Sequence, residues 1–262
     1  MTGRLADRVV LVTGAGGISS AGARLFALEG AAVFVASLEA AECDSLAKDV
    51  SAQGGLIDWA VADLRDEAAA TAAVGRCRER FGRIDGLFAV AGGSGRRFGD
   101  GRLHEISVEA WQRTMDLNGL PMFLAAREAV RSMLDAGTGG SVVVVSSVLA
   151  EHPSPRFFPT HAYAAIKGAA RSFVRATAAS YASNGIRVNA VAPGLVATSM
   201  SARAVADPAT VAYARVKQPL AGDLLPTDAI AQAALFLLSD ASRYVTGQVL
   251  AVDGGWGVAE DV

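Results

Sequence analysis

Two titratable side chains lie four positions apart in the stretch YAAIK, where Tyr163 comes first and Lys167 last. Residues at this spacing share one face of a helix, so the Lys167 ammonium can lie beside the Tyr163 hydroxyl. A nearby positive charge favours the phenolate and lowers the pKa of a tyrosine, which makes the phenol a usable acid or base near neutral pH. Such a pair is more often a surface contact, so its assignment to catalysis depends on the residues around it.

Three other polar residues could act beside that pair. Ser146 and Ser147 end an apolar run, and a hydroxyl there can either bind a substrate oxygen or cap a turn. Side chains alternate along a strand, so at most one of the two faces a pocket. Asn118 interrupts the apolar side of a helical pattern. Its amide must be satisfied, either by backbone groups or by a bound water that serves proton transfer.

A glycine-rich stretch, TGAGGISS at residues 13–20, follows the first apolar run and precedes the first helical pattern. Glycines in this setting let backbone N–H groups approach a pyrophosphate at the positive end of a helix, whereas glycines alone would indicate an ordinary turn. Asp63 is a candidate acceptor for an adenine amino group, or else a cap for the helix that begins near Asp66. Ala91 and Gly92 would let the backbone approach the same ligand.

The elements that must position these residues alternate along the chain. Short, continuously apolar runs predict seven strands, at Val9–Thr13, Ala32–Ala36, Ile57–Val61, Leu87–Val90, Ser141–Ser146, Arg187–Ala192 and Gln248–Val252. Helical patterns separate them, at Ala21–Glu29, Glu39–Ala52, Glu67–Phe81, Val108–Ala136, Ala162–Ser183 and Thr227–Ser239, with a weaker one at Asp207–Val216. This alternation predicts an α/β fold with a doubly wound parallel sheet in a single domain, residues 1–262. The Pro-rich segment 151–160 and the long connection 199–226 are expected to flank a substrate.

Bulk properties exclude several classes of function. A net charge of −2 with scattered Lys and Arg argues against nucleic-acid binding, and no apolar stretch reaches membrane-spanning length. The N-terminal segment lacks the apolar core of a signal peptide. Cys43 and Cys77 have no spacing typical of a disulfide or metal site, nor do the three histidines. We therefore expect a cytoplasmic protein without a metal.

Taken together, these motifs resemble the short-chain dehydrogenase/reductase family over essentially the whole chain. The resemblance is carried by TGAGGIS at 13–19, Asp63, Ala91-Gly92, Asn118, Ser146-Ser147, YAAIK at 163–167, IRVNAVAPGLVAT at 186–198 and VTGQVLAVDGG at 245–255. It implies a seven-stranded Rossmann-type sheet, usually in a homotetramer. It also implies hydride transfer between a nicotinamide dinucleotide and a carbonyl or alcohol carbon of a small molecule. Phe157, Phe158 and the segment 199–226 predict that this molecule is apolar, although such residues could also only pack a lid.

The resemblance implies a role for each matched residue. Tyr163 is similar to the catalytic acid/base, Lys167 to the residue that lowers its pKa and holds the nicotinamide ribose, Ser147 to the one that polarises the carbonyl, and Asn118 to the one that anchors a relay water. The implied cofactor-binding set is Gly14, Gly17, Ile18, Ser19, Ser37, Asp63, Leu64, Ala91, Gly92, Tyr163, Lys167, Pro193, Gly194, Val196 and Thr198.

The sequence departs from the family pattern at three places. The glycine loop is one residue short, which aligns Gly17 with the second glycine and Ser19 with the third. Ser19 can offer its N–H and hydroxyl to a phosphate, but its Cβ crowds the helix–strand contact. The usual NNAG motif reads AVAG at 89–92, and the segment between Ser147 and Tyr163 is longer than usual.

Neither NAD nor NADP is selected by a family motif. After the second strand the chain has Ser37-Leu38-Glu39, with no Arg or Lys to pair with an extra phosphate. Glu39 would repel that phosphate, so NAD is preferred over NADP.

Two other functions fit parts of the sequence. A 3-oxoacyl thioester reductase would bind an acyl carrier protein through a basic patch, which Arg96, Arg97 and Arg102 could supply. A non-catalytic dinucleotide sensor or scaffold would explain the irregular glycine loop. The complete set of Asn118, Ser147, Tyr163 and Lys167 favours the enzyme over the sensor.

Overall fold

The computed structural model of the protein describes residues 3–260. Met1 and Thr2, which belong to the N-terminal segment considered above, lie outside the described residues, as do residues 261 and 262.

Seven parallel strands form one sheet in the order β3-β2-β1-β4-β5-β6-β7. Their bounds are β1 Val9–Thr13, β2 Ala32–Ser37, β3 Leu56–Val61, β4 Gly86–Ala89, β5 Gly140–Val145, β6 Ile186–Pro193 and β7 Val249–Val252. The predicted doubly wound α/β fold is confirmed, because the strand order reverses direction at β1 and β4. All neighbouring strands pair in parallel, so their carboxyl ends meet at one edge of the sheet.

Helices cover both faces of this sheet. They are α1 Gly17–Leu28, α2 Ala40–Ala52, α3 Glu67–Phe81, α4 Val108–Ala136, α5 His161–Tyr181, α6 Ala202–Val205, α7 Pro208–Lys217 and α8 Thr227–Leu238. Local signals explain several ends: Asp66 caps α3, Asp207 caps α7, and Gly82 and Gly137 end α3 and α4 in the left-handed conformation.

The core has two layers because strand side chains alternate. Val9 and Leu11 of β1 pack in the layer formed with α3, α4 and α5, whereas Val10 and Val12 pack in the layer formed with α1, α2 and α8. Strands buried on both faces explain why the sequence shows continuously apolar runs rather than alternation.

The strongest difference from the predicted boundaries is at α1, which begins at Gly17 rather than Ala21. The shortened glycine loop leaves too few residues for a separate turn, so its second half already forms the first turn of the helix. The short helix α6 was not predicted, and the other strands and helices differ from the predictions at their ends only. Within residues 3–260, no helix combines the length and hydropathy needed to cross a membrane.

Candidate active site

The candidate residues meet at the carboxyl edge of the sheet. The glycine loop follows β1, Ser37 ends β2, Asp63 follows β3, Ala91 follows β4, and Ser147 follows β5. Pro193 ends β6 and Gly194 begins the segment after it. Helices α4 and α5 bring Asn118 and Tyr163 to the same edge. The topology therefore brings residues as far apart in sequence as Gly14 and Thr198 into one site.

Tyr163 and Ser147 form the centre of this site. Burial raises the pKa of the Tyr163 phenol above its ordinary value, and a hydrogen bond from the Ser147 side chain opposes that rise. The Ser147 hydroxyl oxygen also accepts from the backbone N–H of Leu149 at 3.2 Å, which fixes it at the start of the short turn Val148–Ala150. A phenol that stays protonated at neutral pH beside a hydroxyl donor can act as a general acid toward a substrate oxygen.

The pKa of Tyr163 is raised, mainly by burial, and the side chain that opposes this rise is Ser147. Lys167 does share a helix face with Tyr163, but its Nζ lies over the ring, 5.6 Å from the ring centroid. The ammonium donates to the Val145 carbonyl at 2.8 Å. Burial lowers the pKa of Lys167 itself to about 8.

The two serines point in opposite directions, as strand alternation predicts. The Ser146 hydroxyl donates to the Lys167 carbonyl at 2.8 Å and is buried. Ser146 therefore anchors α5 to the end of β5, and Ser147 is the serine that faces Tyr163.

The Asn118 amide is satisfied by backbone, the first of the two alternatives predicted above. Its Nδ2 donates to the carbonyls of Gly93 and Thr114, both at 3.0 Å, and its Oδ1 accepts from the Gly93 N–H at 3.1 Å. Asn118 thus ties α4 to the loop after β4. Pro121, three residues further on, has no N–H, which leaves the Leu117 carbonyl without its helical donor.

The glycine loop has the geometry of a phosphate cradle. Gly14 and Gly17 adopt φ values of 87° and 51°, which favour glycine. No side chain of the described residues caps the N-terminus of α1, where Gly16 is the cap residue, so this positive helix end remains available to an anion. A Cβ on Gly17 would lie 3.1 Å from Thr198 Cγ2, which shows how closely the loop approaches the segment after β6. These features fit a dinucleotide pyrophosphate.

Ser19 turns away from this cradle. Its hydroxyl donates to the Thr13 carbonyl at 3.1 Å, and its N–H donates to the Gly16 carbonyl at 3.1 Å. The side chain is buried, and a Cβ on Gly14 would meet its Oγ at 2.8 Å. Both groups that the sequence assigned to a phosphate are engaged inside the loop, and Ile18 packs against the core.

Thr13 holds the segment AVAG at 89–92, where the two asparagine amides of the family's NNAG motif are absent. Its hydroxyl oxygen accepts from the N–H groups of Val90 and Ala91, both at 2.9 Å, and joins the ends of β1 and β4. A Cβ on Gly92 would lie 2.6 Å from Asn118 Oδ1, so only glycine fits there.

The predicted cofactor residues after β2 and β3 make contacts within the protein. Asp63 is paired with Arg65 at 2.6 Å, and this guanidinium lowers the pKa of the Asp63 carboxyl. Asp66, rather than Asp63, caps α3. Leu64 is buried in the core, which leaves its backbone for ligand contact, and the Ser37 hydroxyl accepts from Glu39 N–H at 3.3 Å.

The segment after β6 is held by a residue that the sequence analysis missed. The Gln218 side chain, fully buried at the end of α7, accepts from Leu195 N–H and donates to the Leu195 carbonyl, both at 3.0 Å. Its Oε1 would lie 2.7 Å from a Cβ on Gly194. Val196 pairs with Leu225 in an isolated bridge. Pro193, Gly194, Val196 and Thr198 therefore form a braced strip beside the cradle.

Two acidic residues were also missed, because only the fold brings them near the site. The Glu42 carboxylate lies beside the glycine loop, 2.8 Å from the position that a Cβ on Gly16 would take. Asp100 accepts from the first backbone N–H groups of α5. Neither belongs to a motif that could have identified it.

An aromatic cluster lies next to the Ser147 turn. Phe157 stacks on Tyr213 with ring centroids 4.4 Å apart. Trp256 packs edge-on against Tyr213 at 5.6 Å and lies at a tilt to Phe158 at 5.9 Å. Val148 belongs to the same cluster. The rings join the Pro-rich segment, α7 and the C-terminal segment. They form an apolar wall beside the Ser147 turn.

The basic patch considered for an acyl carrier protein is dispersed, and His161, the first residue of α5, has a backbone partner. Arg96 donates to the Phe157 carbonyl at 3.0 Å, Arg97 lies over the Phe98 ring, and Arg102 is exposed. His161 is exposed, with Nδ1 2.8 Å from the Gly101 carbonyl oxygen. No group of three His, Cys, Asp or Glu side chains within residues 3–260 has the arrangement of a metal site.

Comparisons with known proteins identify relatives along nearly the whole chain. A family model described as enoyl-(acyl carrier protein) reductase matches residues 13–257. The chain is 38% identical to cis-4-hydroxycyclohexanecarboxylate dehydrogenase from Sinomonas cyclohexanicum, over 96% of this chain and 97% of that protein.

Two solved structures superpose closely. A gluconate 5-dehydrogenase from Burkholderia cenocepacia, in complex with NADP and tartrate, is 32% identical with a TM-score of 0.90, and the match covers 98% of both chains. Carveol dehydrogenase from Mycobacterium avium, in complex with NAD, is 31% identical with a TM-score of 0.90, covering 97% of this chain and 99% of that one.

Proposed function

Because the chain belongs to the short-chain dehydrogenase/reductase family and is an NAD(P)-dependent oxidoreductase of CH–OH groups, we propose that it interconverts a small cyclic secondary alcohol and its ketone, with Tyr163 as acid/base. The observation that carries this proposal is the Tyr163 phenol, kept protonated by burial and hydrogen-bonded by Ser147, beside a glycine cradle.

The mechanism assigns one task to each side chain. A reduced nicotinamide, when bound, supplies the hydride. Tyr163 donates its proton to the carbonyl oxygen, and Ser147 donates a hydrogen bond that stabilises the negative charge developing there. Lys167 binds the ribose and brings positive charge to the phenol face, while Asn118 holds Gly93 and the loop after β4 in place. Oxidation of the alcohol uses the same groups in reverse.

The dinucleotide is held by three backbone regions in this proposal. Gly14, Gly17 and Ile18 present the N-terminus of α1 to the pyrophosphate, with Ser19 closing the loop behind them. Ser37, Asp63 and Leu64 border the adenosine, whereas Ala91, Gly92 and the strip Pro193–Thr198 border the nicotinamide. This division follows the order of the strand ends along the sheet edge.

We propose an apolar ring as the substrate class, on the evidence of the aromatic cluster beside Ser147. Phe157, Phe158, Tyr213 and Trp256 supply the wall, and the segment 199–226, which contains α7, covers the substrate. Two of the relatives are named for cyclic alcohols, which supports this class.

The direct test is a titration followed by a substrate panel. Purified protein is titrated with NADH and NADPH by fluorescence, and turnover is then followed with carveol, cis-4-hydroxycyclohexanecarboxylate and gluconate. We expect turnover of a cyclic alcohol and none of gluconate. Binding of a dinucleotide without turnover of any compound would favour the sensor, whereas binding of neither dinucleotide would contradict both the enzyme and the sensor and leave the scaffold. Preference for gluconate would retain the enzyme and reject the apolar substrate.

We propose NAD as the preferred dinucleotide. The Glu42 carboxylate lies beside the glycine loop, and Glu39 follows the end of β2. The additional phosphate of a bound NADP would be repelled by these two carboxylates if it lay at this edge. Arg65 is already paired with Asp63. We therefore expect NADH to bind more tightly than NADPH.

Replacement of Glu42 tests this preference. We expect Glu42→Gln to tighten NADPH binding about tenfold, or about 1.4 kcal/mol, because it removes a repulsive charge, while NADH affinity changes little. Glu79→Gln, on the exposed surface of α3, is the matched control. The dissociation constants of both dinucleotides are the measurement. An unchanged NADPH/NADH ratio in Glu42→Gln would place the origin of the preference elsewhere.

We also propose a cytoplasmic homotetramer. Two buried free thiols, Cys43 and Cys77, suit a reducing compartment, and burial raises the pKa of Cys77 to about 12, which keeps it unreactive. Exposed Leu250 on the edge strand β7 supplies apolar surface for association. Light scattering on the purified protein is expected to give the mass of four chains, and a monomeric mass would reject this assembly.

A further inference from the structure

The Asp100 carboxylate is buried against the first turn of α5, at 4% exposure. Oδ1 accepts from the N–H groups of His161 and Ala162, and Oδ2 accepts from the N–H of Tyr163, all at 3.0 Å. The Thr160 hydroxyl donates to Oδ2 as well. One side chain therefore satisfies the three backbone donors that open the helix carrying Tyr163 and Lys167.

These donors need an acceptor because the first N–H groups of a helix have none within it. The residue directly before the helix usually supplies one, and Thr160 holds that position. Thr160 makes no cap bond of its own, since its hydroxyl is turned toward Asp100. The cap comes instead from about 60 residues earlier in the chain, with a charge that the positive helix end stabilises.

The loop that carries Asp100 is fixed at several points along its length. Gly93, at its beginning, is held by Asn118 of α4, and the Arg96 guanidinium donates to the Phe157 carbonyl. The Asp100 N–H donates to the Gly95 carbonyl at 3.2 Å. A Cβ on Gly95 would lie 2.3 Å from Thr114 Oγ1 and 2.9 Å from Asp100 Cβ, so the loop is packed tightly on α4.

We propose that Asp100 is a positioning residue for Tyr163. Asp100 holds the first turn of α5 against the loop after β4. It thereby fixes the position of the Tyr163 hydroxyl relative to Ser147 and to a bound nicotinamide. This inference rests on the proposed function, because it needs Tyr163 to be the acid/base. Displacement of a reacting group by about 1 Å can cost about 100-fold in rate, so a small shift of this turn has a large effect.

The test compares Asp100→Asn and Asp100→Ala with Asp85→Asn. Asp85 is the matched control because it is also a buried carboxylate that accepts a backbone N–H, from Val9 at 2.9 Å, but it lies at the opposite edge of the sheet. We expect Asp100→Ala to lower kcat about 30-fold or more and Asp100→Asn to lower it about fivefold, since an amide oxygen still accepts part of the network. The dissociation constant for the dinucleotide should change less than about threefold, and kcat of Asp85→Asn should stay near that of the native protein.

Hydrogen exchange supplies a readout that does not depend on activity. We expect faster amide exchange in peptides covering residues 160–166 in both Asp100 variants, with no change there in Asp85→Asn. Unchanged exchange in Asp100→Asn would overturn the cap, whatever the activity of the protein. Faster exchange with an unchanged kcat would overturn the positioning role. If the native protein has no turnover, the proposed function fails; the positioning role then fails with it, while the exchange data still decide whether Asp100 caps α5.

Discussion

Tyr163→Phe is expected to lower turnover about 1,000-fold, with no change in fold or in dinucleotide binding. The substitution removes one hydroxyl, which is the only group of the side chain that can give a proton to the substrate oxygen. The phenyl ring remains, so the contact with the Lys167 ammonium over its face is retained. The dissociation constant for NADH should therefore stay within about threefold of the native value, while kcat falls.

Tyr181→Phe is the control for this prediction. Tyr181 is the last residue of the same helix and packs against the core, away from the carboxyl edge of the sheet. Loss of its hydroxyl is expected to leave kcat unchanged. Turnover near the native rate in Tyr163→Phe would reject Tyr163 as the acid/base and with it the mechanism proposed above.

Lys167→Met is expected to lower kcat/KM about 100-fold without lowering the melting temperature. The activity is lost because the methionine can neither bind the ribose nor place a positive charge at the phenol. Stability is retained because the ammonium is costly to bury: a pKa lowered from 10.5 to about 8 corresponds to a penalty of about 3 kcal/mol at neutral pH. The loss of its hydrogen bond to Val145 offsets part of the gain, by about 1 kcal/mol.

The pH dependence of the free energy of unfolding distinguishes the contribution of Lys167 from those of other titratable groups. Below pH 8 the lysine is protonated in both states and the full penalty of burial is present. Between about 8 and 10.5 the unfolded chain binds more protons than the folded one, so the contribution of Lys167 to the free energy of unfolding rises with pH. Cys77 and Tyr163 have raised pKa values, so their contributions to the free energy of unfolding fall at high pH. Both residues are present in the native protein and in Lys167→Met, so their effect cancels when the two are compared.

The measurement is therefore the difference in melting temperature between Lys167→Met and the native protein. We expect this difference to favour the variant near pH 7 and to shrink as the pH rises above about 8. A variant that is destabilised at pH 7 by as much as it is at pH 10 would mean that the ammonium is not desolvated in the fold.

The alternation of apolar runs and helical patterns in the sequence determined the fold. Parallel strands covered on both faces must be apolar throughout, and residues such as Val142 and Val143 show this without ambiguity. Local signals determined much else. The pairing of Tyr163 and Lys167 on one helix face follows from spacing alone, as does the opposite orientation of Ser146 and Ser147.

The electrostatics of the site were beyond the reach of spacing. A four-residue interval placed Lys167 near Tyr163 but did not reveal that its ammonium lies over the ring and bonds to Val145, while burial raises the pKa of the phenol. Likewise, Ser19 has the residue type of a phosphate ligand, yet its hydroxyl bonds to Thr13 because the shortened loop turns it inward. Desolvation and hydrogen-bond direction depend on everything that surrounds a group.

Contacts across long sequence separations were decided by the tertiary structure alone. Asp100 meets the first turn of α5, Glu42 meets Gly16, and Gln218 braces Leu195, although no periodicity or motif joins these pairs. Secondary structure follows from neighbours within a few positions, so the sequence contains it as a pattern. Which loop touches which helix end depends on how the strands are ordered in the sheet, and only the folded chain brings those partners together.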